Sequence, residues 1–217
     1  MERLQERPMV PFKIDMKALL STTFFGPVQW YQKLYRYDEV YIENNDSYQK
    51  QTYRNRCLIA TTNGVQALTV PVTIEHAGDT ETIRISDHGN WRHQHWQALC
   101  SAYGDSPFFQ YYEDDLRPFF TEKWELLRDF NEATRKQMCI LLDIQPKVML
   151  TPRYQKGDDL TDCDDYREVI RPKRPLPDPD FSPQRYYQVY EHKHGFLPNM
   201  SILDLLCNMG PEGIFYL

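Results

Sequence analysis

Arg54-Asn55-Arg56, with Lys50 and Tyr53 just before it, gathers three cations and flat side chains ahead of an apolar, strand-like run. Guanidinium forks grip carboxylates and phosphates through two parallel hydrogen bonds, so this cluster suits a nucleotide or an acidic sugar. The plainer reading is a solvated strand entrance paired with Glu43 or Asp46. His192 and His194 lie two apart in an extended-looking segment, where such residues point the same way and could share a metal, but no third ligand is near. His93 and His95 have the same spacing on a helical stretch, where it makes side chains diverge. No metal is assigned, because the spacing of established metal motifs is missing. The preferred use of a histidine is as general base, by His194 or His95, since imidazole titrates near neutrality.

Ser201, Asp204 and His194 contain the residue types of a nucleophilic triad. No G-x-S-x-G elbow is present, however, and a helix start with Ser201 as N-cap and Asp204 at N3 explains the first two without catalysis. Cys100, Cys139 and Cys207 fall at apolar helical positions, where inert buried thiols are usual. Glu113-Asp114-Asp115 could hold a divalent cation, but acids at the start of a helix are accounted for by its dipole. Neither G-x-x-x-x-G-K-S/T nor G-x-G-x-x-G occurs, so no cofactor is specified.

The chain of 217 residues carries a net charge of −6, with five widely spaced cysteines. The charge lacks the basic footprint of a nucleic-acid binder, and the odd cysteine count suits a reducing compartment better than a disulfide framework. No segment reaches the ~20 apolar residues that span a bilayer, so a cytoplasmic protein without membrane insertion is expected. Aromatic residues make up 14% of the chain, enough either to stack on sugar rings or to fill a core.

These residues need a scaffold to position them. Residues 1–16 read as a flexible extension and 17–217 as a single domain. The run Lys17–Phe25 suggests a buried strand that hands over at Gly26-Pro27 to a helix with Pro27 at N1. Val28, Tyr31, Leu34 and Tyr35 share one face of that helix, and Glu39–Glu43 is a second strand, giving a βαβ start. Asn63-Gly64 between apolar runs marks a β-hairpin, and Thr80–Ser86 alternates like a further strand near an edge. Asn90 caps a helix from Trp91, and a helical middle section runs through Leu116, Phe120, Trp124, Leu127 and Met138. Lys147–Thr151 reads as a strand. Residues 152–183, rich in Pro and Asp, read as a long extended or mobile loop. The fold class is therefore α/β: one domain with a mixed sheet, a βαβ start, a β-hairpin and a helical middle section.

Several segments together resemble one family, the WbqC-like proteins. They are Phe24-Phe25-Gly26-Pro27 with Trp30-Tyr31; Asp38–Ile42 with Tyr48, Lys50, Tyr53 and Asn55-Arg56; Asn63-Gly64 to Val72; Trp91 with His95; Ser106–Phe109; and Phe196–Pro198 with Ser201–Leu206 and Gly210. Two departures stand out: Ser21-Thr22 replaces an expected Gln-Pro, and Asn44-Asn45 replaces an expected acidic pair. The resemblance implies a bacterial, cytoplasmic α/β protein. It also implies a connection with O-antigen and surface-polysaccharide gene clusters, and glycine transfer has been suggested for some members.

Open α/β sheets bind ligands beyond the carboxyl ends of their strands, which here would lie past the first two. The expected function is transfer of an acyl or aminoacyl group to a sugar or nucleotide-sugar in surface-polysaccharide biosynthesis. Lys50 and Arg56 would hold phosphate or carboxylate, Asn55 would orient the acceptor, and Phe24, Tyr31 and Tyr53 would shape the sugar site. His194 or His95 would take the proton. A noncatalytic partner of glycan-assembly enzymes, docking through aromatic residues, is the alternative; the sequence names no protein partner.

Overall fold

The computed structural model describes residues 14–77, 80–156, 159 and 161–217. Most of the expected flexible extension lies outside them, but its last residues are already strand, since β1 spans Ile14–Ser21. Ala18, Leu19 and Leu20 are all buried in succession, the mark of a parallel strand covered on both faces. α1 (Val28–Arg36) follows, with Pro27 at the N-cap, one position earlier than expected. β2 (Tyr37–Glu43) returns parallel to β1, pairing Ala18 with Val40 and Leu20 with Ile42. The βαβ start is thus present.

β3 (Arg56–Thr61) and β4 (Gly64–Thr69) form the hairpin signalled by Asn63-Gly64, and β5 (Val72–Ala77) pairs antiparallel with β6 (Thr80–Ile85). The parallel and antiparallel pairings are distributed over separate sheets. A four-stranded parallel sheet has the order β7-β2-β1-β8, where β7 is Val148–Leu150 and β8 is Cys163–Asp165, and each hairpin is a two-stranded sheet. The expected strand at Lys147–Thr151 is β7. β8 comes from inside the segment expected to be loop, and a strand of only three residues with two acids carries no alternating signal.

Helices α2 (Trp91–Tyr103), α3 (Phe109–Leu116), α4 (Pro118–Thr121) and α5 (Leu127–Leu141) make the helical middle section. The continuous face expected through Trp124 is broken. The chain is extended at Glu122, Leu126 bridges to Arg84 of β6, and Ile85 donates its amide to the Glu125 carbonyl. Glu113-Asp114-Asp115 sits in the last turns of α3 rather than at a helix start, and Glu113 pairs with Arg117.

The aromatic residues fill the core. Phe24 stacks on Phe130 at 5.5 Å, Phe25 lies over Phe120 at 6.0 Å, and Trp91, Trp96, Phe119 and Trp124 pack around them. Of these, Trp124 is half-buried; a Phe ring that is fully buried contributes about 1.5–3 kcal/mol through the area removed from water.

α6 (Glu191–His194) is a single turn, and α7 (Ile202–Met209) leads into a 3-10 turn over Gly210–Tyr216. Ser201 caps α7 as expected, its hydroxyl oxygen accepting from the Leu203 amide. The same hydroxyl donates to the Phe25 carbonyl, while Ile202 donates its amide to Gly26 and Val28 donates its own to Met200. The end of the chain therefore clamps the β1–α1 turn. No helix among the described residues is long and apolar enough to cross a membrane.

Candidate functional site

β1 is the strand at which the connection order reverses, with β2 and β7 on one side and β8 on the other. At such a switch point the loops after neighbouring strands part and leave a crevice. A cleft of about 580 Å3 lies there, between Ser21, Thr22 and Thr23 at the end of β1 and Asp165–Glu168, Ile170 and Arg171 from the end of β8 onward. A third wall is Asn45–Ser47, Gln49 and Thr52–Arg54, from the segment after β2. The volume lies within the range of small-molecule sites.

Glu43, the last residue of β2, organises this wall from behind. It is fully buried, and its carboxylate accepts from the Asn45 amide, the Thr151 hydroxyl and the Gln155 amide, each at 2.8 Å. Arg167 stands 3.5 Å from the same carboxylate and grips Asp165 through Nε and Nη2. One buried acid thus ties the ends of β2, β7 and β8 together. The sequence signal was an acid ending an apolar strand, which by itself reads only as a strand terminus.

Three guanidinium groups, Arg54, Arg167 and Arg171, line the cleft against three carboxylates, Asp46, Asp165 and Glu168. Arg54 is 3% exposed; it pairs with Asp46 and donates to the Ser47 carbonyl at 2.6 Å, but its Nε has no hydrogen-bond partner among the described residues. Burial, reinforced by the nearby Arg171 charge, lowers the Arg54 pKa to about 10. Arg171 pairs with Glu168 and donates to Gln49, and its Nε too is buried without a partner. Orphan donors of this kind are uncommon in a native structure and call for an explanation. Trp30, Tyr53, Tyr154 and Tyr166 supply ring surface. Burial raises the Tyr53 and Tyr166 hydroxyls to about 12, so both are neutral donors at physiological pH.

Of the expected site residues only Tyr53 lines this cleft. Its carbonyl accepts from the Phe24 amide, so the two segments do meet, but the Phe24 and Tyr31 side chains are buried in the core. Asn55 is turned into the fold, donating to the Val70 carbonyl, and Arg56 donates across the hairpin to Thr69. Lys50 is exposed beside the cleft wall rather than in it. The turn that leads into β3 separates the neighbours: Tyr53 and Arg54 face the cleft, while Asn55 and Arg56 serve the hairpin.

Neither expected proton acceptor is in the cleft. His95 is packed between Phe24 and Trp91, and burial lowers its pKa to about 4. His194 donates from Nε2 to the Thr62 carbonyl at the tip of the β3–β4 hairpin. His192 and His194 lie on the single turn of α6 rather than an extended segment, so their rings diverge, and His192 contacts the Val189 carbonyl. No cluster of three metal-ligating side chains occurs among the described residues.

Asp204 is not the capping acid its spacing suggested. It is fully buried, and its carboxylate accepts from the Tyr186 hydroxyl and Gln188 Nε2, each at 2.7 Å. Burial raises its pKa to about 6. The five cysteines are free thiols, with Cys57, Cys139 and Cys207 buried.

Both departures from the WbqC-like pattern lie at the site: Ser21 and Thr22 line the cleft at the end of β1, and Asn45 lines it after β2. The chain is 28% identical over 204 residues to the uncharacterized protein Rv1507c of Mycobacterium tuberculosis (strain ATCC 25618 / H37Rv), an alignment covering 83% of this chain and 87% of that protein. No solved structure matches the chain. The family model of the WbqC-like proteins matches residues 22–170, a stretch running from the turn after β1 to the segment after β8 and including most of the cleft. The chain therefore belongs to the WbqC-like protein family.

Proposed function

We propose that this cleft binds an activated sugar and that the protein transfers an acyl or aminoacyl group to it in surface-polysaccharide assembly. The observation that carries the reading is a cleft at the reversal point of a parallel sheet, lined by four aromatic rings and by Arg54 and Arg171 with unpartnered Nε–H groups. Rings pack on sugar faces, hydroxyl groups match a lining of equal positive and negative charge, and a guanidinium with a free donor engages phosphate or carboxylate.

In the transfer, an amine or hydroxyl of the sugar attacks the activated acyl carbon. The bond to the donor's leaving group breaks, and the acceptor's proton passes to a carboxylate. Glu168, whose side chain is 56% exposed, is the most open of the cleft's carboxylates and takes the place expected of His95 or His194.

A thermal-shift series with nucleotide-sugars tests the reading. A ligand at 100 times its Kd adds about 2.7 kcal/mol to the native state, worth roughly 5–10 °C in a chain of this size. The expected result is such a shift in the wild type and its loss in Arg171→Ala. Absence of any shift with the whole series, together with a stable complex with a glycan-assembly enzyme, would favour a noncatalytic partner instead.

A further inference from the structure

Behind the wall formed by Asn45, Asp46, Ser47 and Arg54 lies a second cavity of about 380 Å3. These four residues, with Thr22 and Tyr154, line both spaces, so the cavities are separated by a single layer of side chains. Their charge differs. The first cleft sets three guanidinium groups against three carboxylates, while the second sets Arg54, Arg128 and Arg153 against Asp46 alone.

Four further features point to an anion in the second cavity. The 15-residue helix α5 begins at its rim with Leu126 at the N-cap, a side chain with no acceptor to offer the first-turn amides. Arg128 follows at the second helical position, where a cation opposes the dipole, and among the described residues only the exposed Asp129, 3.4 Å away, answers it. Arg54, 97% buried, lines the cavity with its Nε–H unpartnered. Arg153 is exposed and makes no ion pair among the described residues. The rest of the lining sets an apolar strip, Ile83, Leu126, Leu127 and Pro152 with the Tyr154 ring, beside the polar Thr22, Asn44, Asn45, Ser47 and Thr82.

We infer that this second cavity is a separate subsite for a phosphate monoester carried on a flat or apolar body, occupied alongside the ligand of the first cleft. The uncapped amides of α5 and the guanidinium groups of Arg128 and Arg153 receive the dianion, as helix N-termini backed by basic side chains do. The apolar wall receives the body. The inference shares Arg54 with the sugar reading but rests on Arg128, Arg153 and the start of α5, none of which lines the first cleft.

Phenyl phosphate joins the smallest flat apolar ring to a dianion and is the probe. It is titrated into the full-length protein at fixed ionic strength while the arginine Nε–H signals are followed by 15N NMR, with affinity measured by calorimetry. The expected result is saturable movement of the Arg128 and Arg153 signals with that of the exposed, remote Arg185 unmoved. A further expectation is at least a tenfold loss of affinity in Arg153→Gln and more in the double variant with Arg128→Gln. Both arginines are exposed, so these variants keep the fold. Non-saturable movement, equal movement of Arg185, or unchanged affinity in the double variant would overturn the subsite. So would loss of phenyl phosphate and nucleotide-sugar binding together in Arg171→Ala, which would mean a single site. Phenyl phosphate binding without any nucleotide-sugar binding would uphold the subsite while the sugar reading fails.

Discussion

Lys33 of α1 holds its ammonium 2.9 Å from the carboxylate of Asp178, 145 residues further along, with both side chains almost fully buried. Gln29 donates to the same carboxylate at 2.7 Å, the Asp180 amide donates at 3.1 Å, and the Lys33 ammonium also lies 4.5 Å over the Tyr166 ring. This pair ties the segment after β8 to the helix of the βαβ unit, and that segment brings Tyr166, Arg167 and Arg171 to the cleft.

Breaking the pair from one side leaves a buried charge without its partner, which costs about 3–5 kcal/mol, whereas replacing both partners by apolar groups of similar size is nearly neutral. Asp178→Ala should therefore lower the urea midpoint far more than the double variant Lys33→Met with Asp178→Leu. Equal losses in the two proteins would show that packing, not charge, holds the segment.

Two buried ionisable groups pull stability in opposite directions with pH. Burial raises Asp204 from 3.8 to about 6, so the folded protein keeps this proton longer than the unfolded chain does. The stability it contributes is complete below pH 4 and is lost as pH rises to about 6. Burial lowers His95 from 6.5 to about 4, so the unfolded chain binds that proton first, and stability is lost as pH falls from 6.5 toward 4. Each displacement is worth roughly 3 kcal/mol, so the two slopes nearly cancel in the wild type. Asp204→Asn should make the urea midpoint climb with pH between 4.5 and 6.5, and His95→Phe should make it fall. Parallel profiles in the two variants would refute the assignment.

Local rules made the backbone plan readable. The apolar run before Gly26-Pro27, the helical face of Val28, Tyr31 and Leu34, the strand ending at Glu43 and the Asn63-Gly64 turn each carried their own periodicity or turn chemistry, and all are present, although the first strand ends at Ser21 rather than Phe25, where Phe24 and Phe25 turn into the core. β8 was not readable, because its three residues acquire strand geometry only by docking against Lys17–Leu19 of β1. The side chains of the site were harder still. Arg54 and Arg56 look equivalent in sequence, and only the pairing of Arg56 with Thr69 across the hairpin leaves Arg54 to the cleft. His194 looked chemically able, yet the Thr62 carbonyl that it reaches is 132 residues away in the chain.

Two glycines should respond differently to alanine. Gly64 has φ +95° with open space where a Cβ would stand, so Gly64→Ala meets only backbone strain, about 1 kcal/mol. Gly210 has φ +56°, and a Cβ there would stand 2.5 Å from the Phe108 ring, so Gly210→Ala adds a clash to the strain. Thermal denaturation should place Gly64→Ala roughly 2–4 °C below the wild type and Gly210→Ala well below that. A Gly210→Ala protein as stable as Gly64→Ala would mean that Phe108 moves aside at little cost.

Glu43→Gln isolates what the buried carboxylate does. The acid accepts from the Asn45 and Gln155 amides and the Thr151 hydroxyl, on both oxygens at once. A carboxamide keeps one acceptor and turns an NH2 group toward donors on the other side, while Arg167 retains Asp165. The loss should be on the order of 1–3 kcal/mol and local, since an unsatisfied buried donor costs about that much. Hydrogen exchange should accelerate at the Asn45 and Gln155 amides while the amides of α7, remote from this network, keep their protection. Uniform acceleration would show that Glu43 supports the whole sheet, and no acceleration at Asn45 and Gln155 would remove it as the organiser of the cleft wall.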